Sequence, residues 1–203
     1  MIKKKMTIQD LNKYYEELNE YFKKGELHAV PNSDSAHDST IMRFMLDNSE
    51  SLSIYCGEMS VFRNLFYKEI EDHQMLNKES TKDLKEQIQI SLRKFLSRSN
   101  SRINLIVKTF KKTLIDDVIE TKIFKNGIKN GQIKIFEIKD KIVAVDAVPH
   151  FSFTEKKIVR MEQNMEQRSG LCAVNIPDTL KTTLENNFKI LLSVSKLVNC
   201  DFE

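Results

Sequence analysis

Pro149-His150-Phe151-Ser152-Phe153-Thr154-Glu155-Lys156-Lys157-Ile158-Val159-Arg160-Met161-Glu162 is the stretch whose reading decides this chain. Phe151 to Thr154 reads as one strand, Glu155-Lys156 as a tight turn, and Lys157 to Glu162 as the returning strand. Pro149 restricts Val148 to extended geometry and fixes the approach to the hairpin. Side chains two apart on a strand share a face, so Arg160 and Glu162 point the same way. If His150 lies on that face, an imidazole, a guanidinium and a carboxylate converge. Such a trio holds a phosphate or positions a nucleophile. The competing reading is a surface ion pair on a hairpin that opens with a histidine.

Working outward, Gln132 to Ile138 alternates as a strand, with Ile142 to Val148 returning as its hairpin partner. Leu171 to Ile176 is a further short strand, and Pro177 starts a closing helix from Asp178 to Val198 that buries Leu184, Phe188 and Leu191. Toward the N-terminus, residues 7–24 form a helix capped by Thr7 with Asp10 and ended by Gly25. Residues 26–38 read as loop, and a helix capped by Asp38 or Ser39 runs to Asn48. Leu52 to Cys56 is a strand, followed by helices over 60–72 and 78–98. Ile103 to Val107 is apolar on both sides, as a central strand is. Leu114 to Lys125 is a helix. The expected fold class is α/β, a mixed β-sheet flanked by helices on both faces, with 52–56 beside 103–107.

Composition excludes several classes. The 203 residues carry 32 basic and 29 acidic side chains, a net charge of +3, so the chain is no histone-like polycation. With 5 Gly and 3 Pro it is neither collagen-like nor a many-turned sandwich. Cys56, Cys172 and Cys200 give an odd count without CxxC spacing, which fits thiols in a reducing cytosol better than disulfides or zinc. No run of about 18 apolar residues predicts a membrane helix, and Met1 to Met6 lacks the apolar run of a secretory leader. Lys-, Ile- and Asn-rich usage points to a low-GC bacterium or its phage.

Phosphate-cradling glycine motifs and the GxSxG elbow are absent, so no cofactor is expected. His28, His37 and His73 have no i+4 partner, and no metal site is expected. Cys56-Gly57-Glu58 ends a strand, where α/β sheets place ligands, and Glu58 and Arg63 can line that crevice. Cys56 as a thiolate nucleophile competes with a buried structural cysteine. Basic residues gather at Arg93, Lys94, Arg98 and Arg102, then at Lys108, Lys111 and Lys112, a candidate edge for tracking nucleic-acid phosphates.

The order of a His-bearing hairpin, an Arg-x-Glu strand, the Ala173-Val174-Asn175-Ile176 strand and a helix opened by Pro177-Asp178 resembles the C-terminal half of a phospholipase D-like domain. The strand ending in Cys56-Gly57-Glu58, with its Phe-rich helix, resembles that fold's first βα unit. The resemblance spans roughly residues 38–198 and implies a single phospholipase D-like domain over 38–203, with residues 1–37 as an N-terminal helix and loop. In this family a histidine attacks phosphorus, a lysine two residues on binds the phosphate, and an aspartate follows. His150 holds the first place here, Ser152 the lysine's and Lys157 the aspartate's. His150 by that match, with Arg160 and Glu162 by the strand geometry, are the candidate catalytic residues. The resemblance implies nucleic-acid phosphodiesters as ligand and a homodimer in which two histidines share a site; the thiols point to the cytoplasm, and bacterial defence or DNA processing is the expected setting. Whether catalysis survives stays open. The alternative is a non-catalytic regulatory or assembly module that binds a protein partner.

Overall fold

The computed structural model describes residues 6–32, 34–139, 148–164 and 169–200. At its centre is the strand β3 (Arg102–Val107), whose apolar residues are buried on both faces. It runs parallel to β2 (Ser51–Cys56) on one side and to β4 (Ile133–Ile138) on the other. The expected neighbours, 52–56 and 103–107, are therefore paired, Leu52 opposite Ile103 and Ile54 opposite Leu105. Parallel strands need crossovers. The first carries a short 3₁₀ turn (Ser60–Phe62) and helices that we call α3 (Asn64–Asp72) and α4 (Lys78–Ser97). The second carries α5 (Thr113–Asp116) and α6 (Thr121–Lys129).

The antiparallel half comes from the deciding hairpin. β5 (Phe151–Thr154) pairs with β2, then β6 (Val159–Asn164) and β7 (Ser169–Val174) follow by antiparallel steps. With β1 (His28–Asn32) and β8 (Ser195–Leu197) at the edges, the order is β1-β7-β6-β5-β2-β3-β4-β8. This is the expected mixed sheet flanked by helices. On one face α1 (Ile8–Lys24), α2 (Ser35–Asn48), α3, α4 and α6 cover Leu52, Ile54, Leu105 and Ile135. On the other, α7 (Asp178–Ser193) lays Leu184, Phe188 and Leu191 on Tyr55, Ile106, Phe151 and Phe153.

Thr7 and Asp10 close a reciprocal capping box on α1, and Gly25 ends it at φ 71°. Four local expectations are corrected. The 26–38 segment is not all loop, because β1 pairs antiparallel with β7 through it. α2 starts earlier than Asp38, at Ser35, because the Asp34 side chain accepts from the Ala36 and His37 amides. The 114–125 helix is two helices, parted where Arg63 and Asn64 bind Asp117. The closing helix ends at Ser193, and Ser195–Leu197 instead pairs with β4. The expected strand at 142–148 lies, apart from Val148, outside the described residues.

Candidate functional site

Two cross-strand rows form the floor of the site, on the many-helix face. One row runs Leu105, Ile54, Ser152, Arg160 across β3, β2, β5 and β6. Three strand spacings separate its ends, about 14 Å. The next row, one pleat nearer the C-terminal ends of β2 and β3, runs Val107, Cys56 and then His150 and Glu162. Glu162 N–H donates to the His150 carbonyl at 2.8 Å, which locks the last two together. The floor thus grades from apolar on the parallel strands to polar on the hairpin. It lies at the carboxyl end of the parallel strands, where open α/β sheets bind ligands.

The expected convergence is present. His150 Nδ1 lies 2.6 Å from Glu162 Oε2, and an Arg160 guanidinium nitrogen lies 3.5 Å from the other Glu162 oxygen. Arg160 Nε donates to Asp38 Oδ1 at 2.6 Å, from the helix above. Asn32 Nδ2 donates to the same oxygen from the edge strand. The chain Asn32–Asp38–Arg160–Glu162–His150 is thus continuous. It is also enclosed: Arg160, Asp38 and Glu162 side chains are 11%, 13% and 7% exposed. This excludes the reading of a solvated surface pair.

Glu162 takes the imidazole at Nδ1, so the other ring nitrogen, Nε2, is left for other work. Nε2 is buried and has no hydrogen-bond partner among the described residues. It borders a cavity of about 310 Å³, lined also by Met42, Met59, Phe62, Phe66 and Leu105. The Tyr55 ring meets the imidazole edge-on at 5.6 Å and fixes its tilt. Gly57 leaves room beside it, since a Cβ there would stand 3.6 Å from Cε1 and 3.8 Å from Nε2. Met59 holds a left-handed conformation, φ 55°, in the turn that closes the cavity.

Burial opposes ionisation of Glu162, but the hydrogen bond from His150 and the charge of Arg160 outweigh it and hold the carboxyl below its usual range. Asp38 goes the other way, because burial pushes its carboxyl up against the pull of Arg160. Burial also pushes the Cys56 thiol up to about 11, so Cys56 is a thiol at neutral pH and no ready nucleophile. Glu58 pairs with Arg63 at 3.1 Å at the edge of the same cavity.

Ser152, at the family's lysine place, is 4% exposed and lines the cavity. Lys157, at the aspartate place, sits in the hairpin turn and points away to Asp178 at 3.0 Å. The basic residues divide. Arg98 and Arg102 flank the start of β3, where Arg98 donates to the Leu46 carbonyl and Arg102 to Ser99 and Ser101. Arg93 is paired with Glu120 at 2.5 Å, and Lys94 is exposed one residue on. Lys108, Lys111 and Lys112 follow the end of β3, the end on which His150 lies. Among the described residues no cluster of three metal-ligating side chains occurs, and no helix is long and apolar enough to cross a membrane. Asp38 and Asn32 were not singled out as site residues by the sequence. The usable signal was an acid on the apolar stripe of a helix, one turn before Met42.

No protein-family model matches the chain, and no curated protein does. Solved structures do. The fold is similar to that of phosphatidylserine synthase from Haemophilus influenzae Rd KW20, with a TM-score of 0.51 at 11% identity over 85% of this chain. It spans 39% of that protein's length. A TM-score of 0.48 at 11% identity relates it to TrmBL2, an archaeal chromatin protein, over 94% of this chain and 64% of that one. The likeness to the synthase is one of fold.

Proposed function

We propose that this chain is a phospholipase D-like domain in which His150 Nε2 meets a nucleic-acid phosphodiester. One observation carries the reading: a buried imidazole whose Nδ1 is bound by a buried carboxylate and whose Nε2, on a cavity, has no partner among the described residues. In that tautomer Nε2 holds a lone pair aimed at the ligand. It forms an N–P bond as one P–O ester bond breaks, and water later hydrolyses the N–P bond. The leaving oxygen needs a proton, and a second copy's histidine supplies it. The reading therefore includes a homodimer. Lys108, Lys111 and Lys112, at the same end of the sheet, supply a track for the polyanion. Cytosolic residence suits the sequence's thiols, and DNA processing or defence in a bacterium or phage is the setting we infer.

A second reading keeps the fold and drops the chemistry. Arg160 is already held by Asp38 and Glu162, and Ser152 brings no charge, so the described residues of one copy offer no spare cation inside the cavity for the phosphoryl oxygens. A module that binds a protein partner then results. Cleavage of labelled single-stranded DNA and RNA in the presence of a chelator separates the two. The enzyme reading expects turnover by wild type and none by His150→Ala. No turnover by wild type, or equal turnover by His150→Ala, leaves the binding module.

A further inference from the structure

Arg63, at the mouth of the cavity, holds two carboxylates, and holds them differently. Its Nε donates to Asp117 Oδ2 at 3.0 Å, and that end is built into the fold. The Asp117 carboxylate also accepts the Leu65 amide at 3.3 Å. The Asp117 backbone carbonyl accepts the Asn64 amide and the Asn64 side-chain Nδ2, both at 2.8 Å. On the other side of Arg63, the Ile119 amide donates to the Phe62 carbonyl at 2.8 Å. Arg63 is thereby fixed, its side chain 16% exposed. The second carboxylate is Glu58, 3.1 Å from Nη1, and its side chain is 62% exposed. An exposed ion pair loses little when it opens, because water takes up both ends.

Glu58 lines the cavity that His150 borders. Gly57, just before it, is the residue that approaches the imidazole, since a Cβ there would stand 3.8 Å from Nε2. Glu58 starts about 3.8 Å further along the chain, so a phosphodiester on Nε2 lies within a side chain's reach of the Glu58 carboxylate. A carboxylate and a phosphodiester are both monoanions with a pair of free oxygens, and a guanidinium forks onto either. Exchange of one for the other leaves the charge around Arg63 unchanged, so Arg63 keeps Asp117 while its second partner changes.

We propose that an incoming phosphodiester displaces Glu58 from Arg63, so that Arg63 binds a phosphoryl oxygen beside His150. The inference rests on the proposed function, which puts the phosphodiester at Nε2, and brings to it from the mouth of the cavity a cation for the phosphoryl oxygens. Glu58 swings into solvent and returns when the ligand leaves.

Full-length protein is titrated with a labelled single-stranded oligonucleotide whose phosphorothioate linkages keep the charge and slow cleavage. Glu58→Gln, at an exposed position, should tighten binding about threefold. Arg63→Met should weaken it about tenfold or more. In the Arg63→Met background Glu58→Gln should change nothing, because its gain comes through Arg63 and not through one acid fewer near a polyanion. In wild-type protein, which needs no variant to fold, the oligonucleotide should shift the Arg63 guanidinium ¹⁵N resonances. Unchanged affinity in Glu58→Gln, an equal gain in the Arg63→Met background, or unshifted Arg63 resonances at saturation overturns the proposal. The expected binding pattern without cleavage of the unmodified strand refutes the catalytic reading alone. Cleavage lost in His150→Ala, with Glu58→Gln binding as wild type does, refutes this one alone. No binding of the oligonucleotide overturns both.

Discussion

Arg160 bridges two buried carboxylates, Asp38 and Glu162, and its removal leaves Asp38 with Asn32 and Glu162 with His150. Arg160→Met should cost about 3–5 kcal/mol in chemical denaturation. Asp38→Asn should cost clearly less, because burial already favours the neutral form of that carboxyl. The acid limb of stability carries opposite signs from the two carboxyls. Glu162 is held below its usual range, so its contribution is full above its unfolded value and is lost as pH falls through its folded value. Asp38 is raised, so its contribution is full below its unfolded value and is lost as pH rises through its folded one. Denaturation midpoints from pH 3 to 7 should therefore fall less steeply toward acid in Glu162→Gln than in wild type. An unchanged acid slope would show that Glu162 is not held down by His150 and Arg160. His150, Arg160 and Glu162 were legible because a strand's period puts close neighbours on one face. Asp38 was not, since its contact with Arg160 spans 122 residues and no local period reports it.

Gly170 faces Glu162 across β6 and β7, beside a shift of register between Glu162 and Asn164. A Cβ at Gly170 would lie 2.3 Å from the Met161 carbonyl oxygen, so Gly170→Ala must push the two strands apart. The expected cost is about 1–3 kcal/mol or more, with displacement of Glu162 seen as a changed His150 imidazole spectrum. A stable variant with an unchanged spectrum would contradict this. On the opposite face, Phe188 of α7 packs edge-on against Phe151 and Phe153, at 6.5 and 5.8 Å. Phe188→Ala should cost about 3–5 kcal/mol, read by urea titration. Elements with a strong period, such as α1, α4, β2 and β3, were legible in the sequence. β1 was hidden because Pro31 and Asn32 carry turn chemistry, which an edge strand tolerates. β8 was hidden because Leu197, three residues after Val194, continues the helical spacing of α7.

The molecule sets a histidine hairpin antiparallel to the first of three parallel strands, which delivers His150 to the carboxyl end of that strand. A helix then lowers Asp38 onto the hairpin, and the buried network fixes the imidazole. Chain order and hydrophobic pattern made the sheet class readable. Pairing at its edges depends on contacts between distant segments and was not readable. The homodimer is checked by sedimentation, with twice the 23.7 kDa chain mass expected and the single mass contrary to it. The central claim is that His150 Nε2 is the reacting atom. Its most direct test is to mix the protein with a labelled oligonucleotide, denature it during turnover in alkali, and map the labelled peptide by mass spectrometry. The account predicts an alkali-stable phosphoryl adduct on His150 that is absent from His150→Ala. An adduct on another residue, or none while cleavage proceeds, would contradict it.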